Sequence, residues 1–383
     1  MADLVPPSGR VHWIGTGMST GSGLGLVCEA TPTTLWGRTA GKAEARLAEL
    51  GIAHAAETRA FGLGALAGEL AAGDVVVSML PASEHPALAR LAVEHGAHFV
   101  CSSYLGPGIQ EQAAAAGARG TVLLTEVGLD PGIDHLLAHE LVRKALAVTG
   151  RRAATARFTS YCGSNPAVAN DFRYRFSWAP RGVLTALLSP ARLIEDGEER
   201  SVARPWEAVT TRTVGEEDFE VYPNRDSVPF VDTYDFPGSW RLETFVRGTL
   251  RLAGWRDAWK PVFAEIVDGD DARITELAAE LSARYPTTAA DHDRVVMSVR
   301  LEVETADGAS WSGEYVLDAV GDDREAATPR LVSVPLACAI LDTVAGRVPP
   351  GLHQAAREPE TVRRWLEYLD KHGIAVGYRG APA

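Results

Sequence analysis

The sequence predicts an α/β protein: a Rossmann-type, doubly wound parallel sheet, joined to a mixed α/β sheet domain with a small helical insertion. Three observations carry that expectation. Short apolar runs alternate with helical patterns up to His135, as in βαβ units with right-handed crossovers. A glycine-rich turn at Gly15 and Gly17 follows the first apolar run directly. Beyond His135 the runs lengthen, and an Asp307-Gly308 turn separates two alternating stretches, which reads as a hairpin.

The first strand is expected at 11–14 (VHWI) and runs into GTGMSTGSGLG. Gly15 and Gly17 fill the first two positions of a GxGxxG fingerprint, and Thr20 the third. Gly15 permits the tight turn, and Gly17 lets a pyrophosphate approach the backbone. A helix at 21–29 would point its N-terminal amides at those phosphates, with Met18 in the same turn. The next strand, 33–36, ends in Gly37-Arg38-Thr39. Dinucleotide folds place a carboxylate near here to hold the ribose of NAD. Arg38 would instead pair bidentately with a 2'-phosphate, and Thr39 would add a hydroxyl, so the predicted cofactor is NADP.

A helix is expected at 42–50. The continuous apolar run DVVVSML, 74–80, reads as a strand buried in a parallel sheet. It ends at Leu80 and Pro81, in a loop expected along the cofactor. A helix at 85–94, a strand at 97–101 ending in Ser102, Ser103 and Tyr104, and a helix at 108–117 lead to a strand at 121–125. There EVGLDPGIDH, 126–135, turns sharply over two glycines and a proline and opens a helix. The carboxyl end of such a strand is where α/β proteins place their chemistry, and Asp130 sits in that turn. The plainer reading is that Asp130 and Asp134 cap the helix.

The second half is expected to hold a long strand at 153–162, a small-residue segment at 163–170 and a helix at 181–188. Strands at 202–214 and 219–222 follow, then a mostly helical stretch at 240–284. The hairpin spans 295–305 and 311–320, and helices at 329–343 and 358–372 close the chain. The domains are therefore set at 1–134 with 329–383 (Rossmann), 135–239 with 291–328 (mixed sheet), and 240–290 (helical insertion).

Of 383 residues, 46% are hydrophobic and 23% charged, and the formal net charge is -13. No Lys/Arg block offsets that acidity, so a nucleic-acid surface is not expected. A local arginine cluster can still bind an anionic substrate. The four cysteines are scattered without a CxxC, which suggests neither zinc nor disulfides and fits reduced thiols in a cytoplasmic protein. The N-terminal residues carry no signal-peptide core, and no window of 18 apolar residues is expected to span a membrane. His135 and His139 lie four apart on one helix, but no third ligand is visible, so no metal is expected.

Six motifs occur in one order: CSSY (101–104), EVGLDPGIDH (126–135), YCG (161–163), FSWAPRGVL (176–184), YPNRDS (222–227) and ETFVRGTLR (243–251). Together they resemble the saccharopine reductases, the NADP-dependent, glutamate-forming saccharopine dehydrogenases. The resemblance implies reduction by NADPH of the imine between glutamate and aminoadipate semialdehyde. It also implies three domains and a homodimer formed through the mixed sheet. It places Tyr104 and Ser103 beside the nicotinamide, Asp130 facing the substrate amine, and Cys162 at the end of the long strand. Tyr104, Asp130 and Cys162 are thus the candidate catalytic residues. Arg181, Arg225 and Arg247, with Thr249, are the residues that would bind the substrate.

The chemistry agrees with that assignment. Saccharopine is a secondary amine with three carboxylates, and the planar guanidinium fork suits such groups. An anion such as Asp130 favours a positively charged nitrogen, and Tyr104 or Cys162 can donate or relay protons. The segment 163–168 departs from the family pattern: it is shorter and lacks an acidic residue, which leaves the aldehyde partner open. The alternatives are an imine or opine-type reductase with another amine–carbonyl pair, and a non-catalytic NADP-binding sensor. A sensor would need neither Tyr104, Asp130 nor three arginines.

Overall fold

The computed structural model describes residues 2–288 and 290–380. The chain divides into two compact units, Met1–His135 with Pro329–Gly373, and Leu136–Thr328 with Ile374–Ala383.

The first unit begins with β1 (Val11–Ile14), β2 (Thr33–Gly37), β3 (Glu57–Ala60), β4 (Val75–Ser78), β5 (His98–Cys101) and β6 (Val122–Thr125). They pair in parallel in the order β6-β5-β4-β1-β2-β3. Every residue of β1, β2, β4, β5 and β6 is buried, which explains their unbroken apolar runs: helices cover both faces. β3 escaped the sequence reading because it is short, polar and part-exposed. The strand order reverses between β1 and β4, and ligands of open parallel sheets bind at the carboxyl ends beside such a reversal. The single helix expected at 108–117 is two, Pro107–Gln110 and Ala113–Arg119.

The second unit holds β7 (Ala154–Pro166), β8 (Ala191–Glu195), β9 (Glu198–Val202), β10 (Thr210–Val214), β11 (Glu217–Pro223), β12 (Trp240–Leu252), β13 (Asp293–Thr305) and β14 (Ser310–Val320). β7 and β12 run parallel, whereas β13, β14, β11 and β10 join antiparallel on either side. Two expectations need correction. The stretch 202–214 is not one strand, since a turn of 3-10 helix at Pro205–Ala208 separates β9 from β10. The stretch 240–284 is not helical throughout: β12 is a 13-residue strand inside the mixed sheet. The helical segment therefore starts later, with Trp255–Ala258, Lys260–Asp268 and Asp271–Arg284. It packs with helix Pro180–Leu187 around Tyr174, Phe176, Trp255 and Trp259. Phe172 stacks on Trp259 at 4.8 Å and on Tyr285 at 4.4 Å, contacts worth roughly 1 kcal/mol each beyond burial.

Two strands complete the sheets. β15 (Gly351–Gln354) adds in parallel beyond β6, and β16 (Gly377–Gly380) pairs antiparallel with β14. Residues 377–380, expected with the Rossmann domain, thus extend the mixed sheet. Helix Ala327–Val344 has the length and hydropathy of a membrane span, contrary to the sequence expectation, but 78% of its apolar window is buried inside the fold. It is a core helix.

Candidate functional site

The glycine-rich turn has the form its residues require. Gly15 adopts φ +119°, and a Cβ there would meet the Met79 carbonyl oxygen at 2.9 Å. The turn is thereby pressed against the end of β4. At Gly17 an added Cβ would meet nothing within 4 Å, so the backbone faces open space, as phosphate approach needs. Thr20 is fully buried, and its hydroxyl donates to the Gly15 carbonyl at 3.1 Å. The close packing a third fingerprint glycine would give falls to Gly23 instead. A Cβ at Gly23 would lie 1.9 Å from the Ser333 carbonyl oxygen. The helix begins at Gly23, two residues later than expected, and the Gly23 amide donates to Ser333 Oγ at 3.0 Å.

After β2, Arg38 is exposed, and no described residue accepts a hydrogen bond from its guanidinium. Thr39 caps helix Ala40–Glu49, its hydroxyl accepting from the Lys42 amide at 3.2 Å. A helix N-terminus beside a guanidinium suits a phosphate. Met18 is exposed, Leu80 is half-buried on the core under β4, and Pro81 precedes a turn of 3-10 helix.

The turn after β6 closes on itself through Gly128 and Gly132. The Gly128 amide donates to the Pro131 carbonyl at 2.9 Å, and the Ile133 amide to the Gly128 carbonyl at 3.0 Å. A Cβ on Gly132, at φ +148°, would sit 2.0 Å from the Gly128 oxygen. Asp134, in the first turn of the helix, accepts from the Gly132 amide at 2.7 Å. Asp130 has a different partner: Tyr104 Oη donates to its Oδ1 at 2.6 Å. A short, charge-assisted bond thus joins the turn after β5 to the turn after β6.

Two groups behind that pair were not singled out in the sequence. Glu126 lies at φ +62° and is 1% exposed. Its carboxylate accepts from the Leu105 amide at 2.9 Å and from Gln354 at 3.1 Å, and stands 3.0 Å from His135 Nε2. Burial pushes its pKa up, but His135, the amide and Gln354 outweigh burial and hold it below the usual value. Glu126 therefore fixes the residue after Tyr104 and the first turn of the helix after Asp130 at once. His85, buried at the start of helix His85–Glu94, bridges Ser78 Oγ at 2.8 Å and Ser103 Oγ at 2.9 Å. Burial lowers its pKa from 6.5 to about 4. The sequence signal was present in both cases, a carboxylate opening the motif and a histidine following the β4 loop, but neither residue type is diagnostic there.

In the second unit, strand register assembles the candidates. Arg247 lies opposite Ser160 and Thr249 opposite Cys162 on the parallel neighbour. Residues two apart share a face, so Arg247, Thr249 and Arg251 stand in one row beside Ser160, Cys162 and Ser164. The opposite face carries Val246, Leu250 and Leu252, packed on Tyr161, Phe219 and Val221. Arg247 is 3% exposed, with its guanidinium 4.0 Å over the Phe230 ring. The Asn224 amide donates to the Arg247 carbonyl at 2.9 Å, which ties the loop of Arg225 to this row. Arg225 itself is exposed, at φ +57°. Arg181 is exposed and directed elsewhere: it forms an ion pair with Asp271 and donates to Thr275 at 3.3 Å. Cys162 is 8% exposed at this row. Burial pushes the Cys101 thiol up to about 12 and raises Cys28 and Cys338 as well.

Among the described residues, no group of three His, Cys, Asp or Glu side chains could hold a metal ion. His135 faces Glu126, whereas His139 lies edge-on to Tyr234, 5.7 Å between centroids.

Comparison with known proteins adds three findings. Residues 11–124 match the family model of the saccharopine dehydrogenase NADP binding domain, and residues 128–374 that of the saccharopine dehydrogenase C-terminal domain. The chain is 38% identical over 197 residues to the saccharopine dehydrogenase [NADP(+), L-glutamate-forming] of Pyricularia oryzae, covering 50% of this chain and 42% of that one. It is 36% identical over 209 residues to the protein of that description from Saccharomyces cerevisiae, covering 53% and 46%. The aligned stretches thus span less than half of those relatives' length. The structure of apo saccharopine dehydrogenase (L-Glu forming) from Saccharomyces cerevisiae superposes with a TM-score of 0.81 at 26% identity, over 98% of this chain and 100% of that one.

Proposed function

The chain belongs to the saccharopine dehydrogenase family, and on that premise we propose that it reduces, with NADPH, the imine formed between glutamate and aminoadipate semialdehyde. The product is saccharopine, and the reaction is reversible. The observation that carries the reading is the 2.6 Å bond from Tyr104 to Asp130 at the carboxyl end of a parallel sheet. When bound, NADPH would supply the hydride for the imine carbon, and the nitrogen would take a proton, to leave a secondary amine.

The chain's own residues do the rest. Gly15, Gly17, Met18, Leu80 and Pro81 line the cofactor, and Arg38 with Thr39 holds the 2'-phosphate. The open backbone at Gly17 and the exposed guanidinium of Arg38 fit that group. Asp130 sets a negative charge where the nitrogen is cationic. Tyr104 holds that carboxylate and passes a proton, and Ser103, oriented by His85, lies beside it. Arg225, Arg247 and Thr249 bind carboxylates next to Cys162. Arg181 is left out of the reading, because its guanidinium is engaged by Asp271.

The test is to incubate the protein with saccharopine and NADP and follow the reduced-nicotinamide absorbance. Turnover, with NADP preferred over NAD, is expected. Turnover only with another amino acid and aldehyde would keep imine reduction but change the pair. NADP binding without turnover on any such substrate would favour a sensor. The reading extends to a homodimer in the cytoplasm. Light scattering that returns the mass of one chain refutes the dimer, and fractionation of cells with the protein in the membrane pellet refutes the compartment.

A further inference from the structure

The row on β12 does not end at Thr249. Arg251, two residues on, is 6% exposed, and no carboxylate lies within ion-pair distance of it among the described residues. Its Nη1 donates to the main-chain carbonyls of Ser164 at 3.4 Å and Leu250 at 3.3 Å. Its Nε has no protein acceptor. The faces of the guanidinium are walled by aromatic rings, with Tyr174 at 4.8 Å, Trp255 at 5.8 Å and Tyr222 at 5.9 Å from Cζ to centroid.

A buried cation without an anion is costly. The rings offset part of that cost. The acids nearest in register and sequence do not take up the rest. Glu220 is the cross-strand partner of Arg251, but its two oxygens accept from the Gly254 amide at 3.0 Å and the Arg256 amide at 2.7 Å. Asp293 is committed to the amides of Ala327 at 2.6 Å and Thr328 at 2.8 Å, and to the Thr328 hydroxyl at 2.6 Å.

With Nη1 on carbonyls and ring faces covered, the donors left over are those of the Nε–Nη2 edge. Two parallel N–H groups on that edge match the two oxygens of a carboxylate. We propose that Arg251 is a further carboxylate-binding residue, taking one carboxylate of the amino-acid substrate bidentately at the end of the row that begins with Arg247. Four residue steps along the strand separate the two α-carbons by about 13 Å, and two arginine side chains on one face can bracket an extended molecule with carboxylates at both ends. The identity of that molecule rests on the function proposed above; the carboxylate site does not.

The experiment is a ligand–residue cycle by calorimetry on the full chain with NADP bound. Saccharopine and its three monoamides are titrated into the parent, R251Q and R251K. Saccharopine should bind R251Q about 10- to 100-fold more weakly, the range of a charge-assisted bond lost, with R251K between, since lysine keeps the charge but not the fork. For one of the three monoamides, affinity should fall in the parent and fall no further in R251Q. NADP affinity should stay within about two-fold. Independent losses for all three amides, or unchanged binding in a folded R251Q, overturn the proposal. Failure of both variants to fold also overturns it, and assigns Arg251 to the aromatic cluster. If the parent neither binds nor oxidises saccharopine, the functional reading falls, and the same cycle with glutarate and its monoamide still decides Arg251.

Discussion

Replacing His85 by glutamine tests the neutral histidine behind Ser103. Its ring is 1% exposed and lies between two serine hydroxyls, and burial holds its pKa at about 4 instead of 6.5. Between those values the unfolded chain binds a proton that the folded chain refuses. A histidine depressed in this way gives stability that is complete above pH 6.5 and is lost as pH falls toward about 4. At about 1.4 kcal/mol per pH unit, the loss across that window is about 3 kcal/mol. Denaturant unfolding of the parent and H85Q across the window is the assay. Other titrating groups act in both proteins, so the difference between the two curves isolates His85. That difference should change by about 3 kcal/mol, against the parent, as pH falls. A constant difference refutes the reasoning, as does an imidazole resonance, assigned by its absence in H85Q, that titrates near 6.5.

Three further outcomes follow from the site. Tyr104→Phe removes the 2.6 Å donor to Asp130; a charge-assisted bond is worth about 1.5–3 kcal/mol, so kcat/KM for imine reduction should drop by about 10- to 100-fold. NADPH affinity should be unchanged in that variant, and a parallel loss of cofactor would remove Tyr104 from the chemistry. Arg38→Asp should weaken NADPH and spare NADH, because a carboxylate repels the 2'-phosphate; equal loss of both, measured as dissociation constants, contradicts the assignment. Arg225→Ala should raise KM for the amino-acid substrate by about 10-fold or more, and steady-state kinetics identical to the parent would take Arg225 out of the site.

How far the sequence could be read differs between the two units for a physical reason. In the first unit β1, β2, β4, β5 and β6 are buried on both faces, so VHWI and VVVS announce themselves as apolar runs. Each ends where the chain must turn over glycine or proline. The strand missed there, β3, is polar and part-exposed. Thr20 stood out at the third fingerprint position, but the compensating close contact of Gly23 with the Ser333 carbonyl, more than 300 residues away, could not be seen. Asp130 was singled out from its turn, and Tyr104 from the family resemblance. Their mutual bond, and the Glu126 carboxylate that braces both turns, were not legible, because they depend on β5 and β6 being neighbours.

β12 shows the opposite case. Its sequence, WRLETFVRGTLRL, was expected to be helical, and the structure makes it a central strand. The register against β7 shifts between Leu242 and Thr244, so a bulge breaks the alternation at the point where a reader would look for it. Past the bulge the two faces invert the usual code. One carries Val246, Leu250 and Leu252 on an apolar core, while the other carries Arg247, Thr249 and Arg251, also largely buried. A strand buried on both faces is ordinarily apolar on both. Burial of the Arg251 guanidinium, with no described carboxylate within ion-pair distance, is therefore a cost that the strand pairing does not explain and that a bound anion would offset. That is why the polar face of β12, and not the length of its apolar runs, is the more informative half of the motif.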